Sequence, residues 1–130
     1  MSEYPDHLKY TKDHEWTRTE SDGTIVCGIT HHAQDALGEI VYLELPSAGR
    51  NLKKGETLGV VESIKAVSDI YSPITGKVVE AHSDLTNDPG RINQDPYKEG
   101  WLLRLEVTDK STLEGLMDAK AYSDFVSKLK

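Results

Sequence analysis

The residues best placed to do chemistry lie in Glu62-Ser63-Ile64-Lys65-Ala66-Val67-Ser68-Asp69-Ile70, where a single lysine sits among apolar neighbours. A carboxylate, Glu62, stands three residues before it, and another, Asp69, four residues after it. An amine can be acylated, which fixes a group covalently and removes the lysine's charge. A lone lysine is more commonly a solvated surface side chain, so the setting must decide. Strand-like runs flank it, Glu56 to Ser63 and Val67 to Tyr71, which puts Lys65 at the tip of a hairpin within reach of a modifying enzyme. The tip is unusual. Turns ordinarily carry Gly, Asn, Asp or Pro, and none of these occurs between Ser63 and Val67, where Ile64 stands instead.

Other chemistries fit less well. His31-His32 suggests a metal site, but adjacent helical residues point apart and no nearby cysteine completes a ligand set. Gly55 and Gly59 resemble part of a phosphate loop that lacks its Gly-Lys-Ser/Thr ending and its helix. No serine sits in a nucleophile elbow with partners for a triad. Cys27, the only cysteine, lies among Ile25, Val26 and Ile29 and reads as a small packed hydrophobe.

The elements that must position Lys65 follow from pattern and punctuation. Residues His7 to Glu20 read as an opening hairpin, and Thr24 to Ile29 as a strand buried on nearly both faces. Thr30 can cap a two-turn helix over His31 to Leu37 that Gly38 closes. Glu39 to Leu45 reads as a strand with Ile40, Tyr42 and Glu44 on one side and Val41, Leu43 and Leu45 on the other. Gly49 and Gly55 mark turns, Ser72 to Gly76 another, and Lys77 to His82 a strand. Asp84 to Gly100 reads as irregular loop, Trp101 to Val107 as a strand. Ser111 and Glu114 have capping-box spacing, and Tyr122, Phe125, Val126 and Leu129 give the last helix an apolar face. The expected fold is mainly β: a flattened barrel or sandwich of seven or so short antiparallel strands, with a short internal helix and a C-terminal amphipathic helix.

A chain of 130 residues suits one domain, here residues 1–130, with a core over about 7–108 and a helical segment over about 111–130. Its 22 acidic against 15 basic residues give a formal charge of -7, which excludes a nucleic-acid backbone as natural partner and favours basic docking surfaces. The start has neither an apolar signal core nor an Arg-rich presequence, and no apolar run approaches the roughly 20 residues that span a bilayer. A soluble cytoplasmic monomer without membrane contact is expected.

With Lys65 on a hairpin tip followed by Ser72-Pro73-Ile74-Thr75-Gly76-Lys77-Val78, the chain resembles the biotinyl and lipoyl attachment domains. Within that superfamily it resembles the glycine cleavage system H protein family, on Asp13-His14-Glu15-Trp16, Gly28-Ile29-Thr30, His32-Ala33-Gln34-Asp35, Val41-Tyr42-Leu43-Glu44-Leu45-Pro46, Pro96-Tyr97 and Gly100-Trp101. The resemblance implies a carrier, not an enzyme, with lipoate in amide linkage to Lys65. Its implied partners are a pyridoxal-phosphate glycine decarboxylase that loads an aminomethyl group, an aminomethyltransferase that passes the carbon to tetrahydrofolate, a flavin-dependent dihydrolipoamide dehydrogenase, and lipoate-attaching enzymes. It further implies Glu62 as a recognition feature for lipoylation, Gly49 and Gly76 as turn-shaping glycines, and Glu15 and Asp69, with Asp13 nearby, as the lining of a cleft where the arm rests. Ala36 stands where plant members carry a histidine that touches the arm. The alternative in the same fold is a relay donating lipoyl groups to 2-oxoacid dehydrogenase subunits. Biotin acceptors usually place Met beside the lysine, where this chain has Ile64 and Ala66.

Overall fold

The computed structural model describes residues 4–129. Nine strands form two antiparallel sheets. The larger has the order β1 (Lys9–Tyr10), β2 (Glu15–Thr19), β3 (Ile25–Ile29), β9 (Leu103–Asp109), β8 (Thr75–Ala81), β5 (Asn51–Leu52). The smaller has β4 (Ile40–Glu44), β6 (Thr57–Ser63) and β7 (Val67–Tyr71), with β6 central. The result is the expected sandwich, with sheets left open rather than closed into a barrel.

Between the sheets lies a core of Ile25, Cys27, Ile29, Leu103, Leu105 and Val78 from one side and Ile40, Leu43, Leu58, Val61 and Ile70 from the other. β3 is buried along its whole length because its other face is covered too. There Val26 joins Leu8, Tyr10, Trp16, Ala119 and Tyr122 in a second cluster closed by the C-terminal helix α3 (Ala119–Ser127). Gly28 makes room for the indole of Trp16, whose Nε1–H donates to the Pro96 carbonyl at 3.0 Å; a Cβ at residue 28 would lie 2.8 Å from that ring.

The helix α1 (His31–Leu37) has the boundaries expected of it. Thr30 Oγ1 accepts from the Ala33 N–H at 3.2 Å, and Gly38, at φ 82°, closes the helix by donating to the Gln34 carbonyl at 3.0 Å. Four expectations change. A bulge between Ile40 and Tyr42 interrupts the alternation of β4, so Ile40 and Leu43 are buried while Val41, Tyr42 and Glu44 are exposed. The segment read as irregular loop folds into a 3₁₀ turn at Ser83–Asn87 and a one-turn helix, α2 (Arg91–Gln94), which bury Leu85 and Ile92. Ser111 caps no helix: its hydroxyl donates to Asp109 in a 3₁₀ turn at Lys110–Leu113, and α3 starts later, capped by Asp118. Gly76 shapes no turn but lies within β8, at an irregularity where a Cβ would come within 2.5 Å of the Glu106 carbonyl. The pattern missed β5, whose two residues are too few to show a period.

Candidate functional site

The β6–β7 hairpin has only two loop residues, Ile64 and Lys65, between a paired Ser63 and Ala66. Such loops normally need positive φ, yet among the described residues His14 alone of the non-glycines has it. Ser63 replaces the missing turn residue. Its N–H donates to the Ala66 carbonyl at 2.8 Å, and its Oγ accepts from the N–H groups of Lys65 at 3.2 Å and Ala66 at 3.0 Å. The tip is also tied sideways, since the Ile64 N–H donates to the Glu39 carbonyl at 3.1 Å. Asn93 holds the segment beneath, donating to the carbonyl of Gly38 and accepting from the N–H of Ile40. Backbone and small polar groups thus fix the tip while its side chains stay in solvent: Ile64 is 71% exposed, Val67 69%, and Lys65 is exposed between them.

The Lys65 stem crosses Gly38, with Cε 3.1 Å from where a Cβ would be at that glycine. Beyond Gly38 a groove of about 250 Å³ runs back along α1, walled by Leu37, Ala36, Ala33 and His32, by Ser68 of β7, and by Asp13 and His14. Asp13 and His14 end the turn joining β1 to β2, in which His14 takes the left-handed conformation at φ 70°. Asp13 is also on the wall of a neighbouring cavity of about 250 Å³ that holds Glu15, with Thr11, Ser72 and Met117. Glu15 is only 3% exposed. Burial pushes its carboxyl up to about 7, partly opposed by hydrogen bonds from the Thr11 hydroxyl at 2.5 Å and the Tyr71 backbone. Half-buried His14 is held below the usual imidazole range, by burial first and by His32 second.

Of the residues singled out in the sequence, Lys65 lies against Gly38, the residue that follows the groove-lining Leu37, Asp13 lines the groove, and Glu15 lines the neighbouring cavity that Asp13 shares. Glu62 and Asp69 are not among the groove's walls. Strand registers align Tyr42 with Glu62 and Val67, and Glu44 with Val60 and Asp69. Because Ser68 faces the groove and Ile70 the core, Asp69 belongs with Glu62 and Glu44 on the outer face of the small sheet. Residue patterns missed three participants. Ser63 sat beside the lysine and could have been found by asking what satisfies the turn amides. His14 and His32 are 18 residues apart and meet, with ring centroids at 4.5 Å, only through the fold.

The structure defines a β-sandwich domain that presents one lysine on a short hairpin above a groove. The model of the glycine cleavage H-protein family matches residues 8–129. Glycine cleavage system H proteins of Symbiobacterium thermophilum and Alkalilimnicola ehrlichii are 52% identical over 128 residues (98% of this chain, 99% of that protein) and 50% identical over 127 residues (98% of each). The crystal structure of a glycine cleavage system H protein from Mycobacterium marinum superposes with a TM-score of 0.83 at 38% identity, covering 92% of this chain and 96% of that one. The chain belongs to the glycine cleavage H-protein family.

Proposed function

We propose that this protein is the lipoyl-bearing shuttle of the glycine cleavage system. In this reading lipoate is joined to Lys65 Nζ, and the protein carries an aminomethyl group from glycine decarboxylase to the aminomethyltransferase and electrons to dihydrolipoamide dehydrogenase. The observation that carries it is the exposed, backbone-anchored Lys65 tip in a chain whose residues 8–129 match the model of this family. The relatives bear the glycine cleavage name, which favours this role over a lipoate relay.

The residues fit such a group. The Lys65 stem packs against Gly38, where any larger residue would crowd it, and α1, seven residues long, gives the groove a length of about 10 Å. An extended lipoyl-lysine reaches about 13 Å, eleven bonds at roughly a third of a backbone residue's span each. The lipoyl group supplies a disulfide that can be reduced and can hold a one-carbon fragment. The protein supplies everything else. Leu37, Ala36 and Ala33 offer apolar surface to the methylenes, each worth about 0.8 kcal/mol when buried. Asp13 offers a carboxylate where an amine-bearing end would arrive, and Glu15, pushed up to about 7, offers a second carboxyl in the adjoining cavity that can ionise beside that amine. Glu62, with Asp69 and Glu44, presents an acidic outer face beside the tip, suited to basic surfaces on the attaching and partner enzymes. The carrier performs no bond chemistry itself: it holds, shields and presents. The absence of a membrane-crossing helix among the described residues fits free diffusion between enzymes.

Two measurements test the reading. Intact mass of the natively expressed protein should show one lipoyl increment, and a digest should place it on the peptide carrying Lys65. Reconstitution with the decarboxylase should give glycine-dependent exchange of carbon dioxide. An unmodified chain, a biotinyl increment, or a lipoylated chain inert in exchange would each overturn it.

A further inference from the structure

Three polar side chains beneath the far end of the groove form a closed chain whose protons can be assigned by counting. Thr30 is fully buried, and its Oγ1 already accepts the Ala33 N–H as helix cap. The other neighbour of that hydroxyl is Tyr122 Oη at 2.8 Å. Tyr122 Oη in turn lies 2.7 Å from His14 Nδ1. Among the described residues, Tyr122 Oη is the one acceptor within reach of the Thr30 proton. A buried hydroxyl that leaves its proton unused is costly. Thr30 therefore donates to Tyr122, Tyr122 donates to His14 Nδ1, and His14 must be the tautomer that carries its proton on Nε2.

The ring position of His14 makes this assignment matter. His14 lines the groove with His32 and Asp13, whereas its Nδ1 edge is tied down to Tyr122, which is not among the groove's walls. We propose that Tyr122 is a positioning residue for the groove: through His14 it fixes an Nε2–H donor at the groove's far end, suited to the sulfur of a dithiol tethered at Lys65. Beside it the Asp13 carboxylate is an acceptor, so the pair can meet a sulfur and an amine on neighbouring atoms. The inference deepens the lipoyl-carrier reading and rests on it for its ligand, not for its proton assignment.

The same relay sets a response to acid. Protonating His14 puts a second proton on Nδ1, so Tyr122 must stop donating there, become an acceptor and turn its own proton toward Thr30, whose hydroxyl then loses its acceptor. The groups facing His14 are Asp13 in its own turn, His32 from α1, and Tyr122 with Phe125 from α3. Asp13 favours the cation, while burial and His32 oppose it and prevail. The neutral Nε2–H form thus persists through neutral pH, and the C-terminal helix controls the chemistry of a groove it does not touch.

The test begins without any cofactor. Long-range ¹H–¹⁵N correlation spectra of the unmodified protein at neutral pH should show His14 as the Nε2–H tautomer, titrating below an ordinary histidine. An Nδ1–H signal, or an equal tautomer mixture, overturns the relay whatever the protein carries. Tyr122→Phe keeps the ring stacked on Tyr10 and should release His14 into a tautomer mixture with its titration midpoint changed. His14→Asn tolerates the left-handed backbone and serves as a second variant should the first lose its fold. With lipoylated, reduced carrier, alkylation of the thiols should run about three- to tenfold faster in either variant than in the wild type, the range one neutral hydrogen bond is worth. Correct tautomer signals with unchanged alkylation would keep the relay but overturn its role toward sulfur. A chain that carries no lipoyl group at all fails the functional reading instead, and the tautomer result still stands or falls alone.

Discussion

The two ends of the groove are built on opposite principles. At the Lys65 end every restraint is on the backbone: Ser63, Glu39 and Asn93 fix peptide groups, and the side chains of Ile64, Lys65 and Val67 stay in water. At the His14 end the restraints are on side chains: His14 is tied through Tyr122 to buried Thr30, and in the adjoining cavity buried Glu15 is tied to Thr11. A residue that must enter another protein's active site needs a fixed position and a free side chain. A surface that must receive a tethered group needs fixed donors and acceptors already stripped of water, because ordering them on arrival would weaken binding. Substitutions of the solvated side chains at the first end should therefore alter function without stability, and substitutions at the second should alter both.

The largest effect belongs to the exposed end. Lys65→Arg keeps charge and length but has no acylatable amine. Modification and glycine-dependent exchange should vanish completely while the thermal midpoint stays within about 1 °C, since substitutions at solvated positions change stability little. Residual lipoylation by mass, or a chain that melts early, would break the proposed division between the two ends.

Glu15→Gln should act on both. The folded carboxyl titrates near 7 against an ordinary 4.5, so the folded state holds its proton more tightly than the unfolded state. Glu15 therefore favours folding fully below pH 4.5 and loses that contribution as pH rises through 7. Gln cannot ionise. Relative to the wild type, the variant should gain up to roughly 3 kcal/mol between pH 4 and pH 9, since each tenfold difference in proton affinity between the folded and unfolded states is worth about 1.36 kcal/mol. Urea midpoints at the two pH values check this, and parallel stability-pH curves would show that Glu15 is not desolvated. In the loaded carrier the same substitution should shorten the half-life of the aminomethyl group, followed by mass spectrometry after the decarboxylase is removed.

The contrast between the ends also explains what the sequence could reveal. Lys65 was legible because its hairpin is local: two strand-like runs and a short tip lie within sixteen consecutive residues. The helix His31–Leu37 was legible for the same reason, with Thr30 and Gly38 supplying both caps. The alternation of β4 misled because a bulge at Val41 depends on what β6 offers opposite it, which no local period encodes. Asp69 was assigned to the cleft by resemblance, yet strand alternation gives that side to Ser68. The His14–Tyr122 contact spans 108 positions and no spacing rule reaches it.

Ser63→Ala tests the anchoring of the exposed end more gently. It removes the acceptor for two turn amides, but these lie at the surface and can turn to water. The global loss should be about 0.5 to 1.5 kcal/mol, with native-state exchange of the Lys65 and Ala66 amides accelerated about tenfold or more, one decade per 1.4 kcal/mol of local opening. Lipoylation should slow through a raised KM, because the attaching enzyme then meets a mobile tip. Unchanged amide exchange would show that the backbone bonds to Ala66 and Glu39 hold the turn without the Ser63 hydroxyl.

The smallest effects separate Glu62 from Asp69 on the outer face. Asp69 is exposed and Glu62 half-buried with no ion pair among the described residues, so truncating either should move stability by no more than about 0.5 kcal/mol. Their expected roles differ by position. Glu62 pairs directly across from Val67 and Tyr42 in the row nearest the tip, whereas Asp69 stands one row further along, opposite Val60. An enzyme that engages Lys65 covers the first row before the second. Glu62→Ala should therefore slow lipoylation several-fold and Asp69→Asn less. If attraction between charges is the cause, the Glu62 effect should shrink as salt is raised from 0.01 M, where screening acts over about 30 Å, to 1 M, where it acts over about 3 Å. A Glu62 effect that survives 1 M salt would identify a direct hydrogen bond to the attaching enzyme. An Asp69 effect that exceeds it would put the recognition surface lower on the sheet than the tip. Neither substitution should alter the half-life of the aminomethyl group once loaded, because neither side chain lines the groove or the adjoining cavity that holds Glu15. If Asp69→Asn shortens that half-life as much as Glu15→Gln does, the loaded arm lies over the outer face of β7, and the groove along α1 is not its resting place.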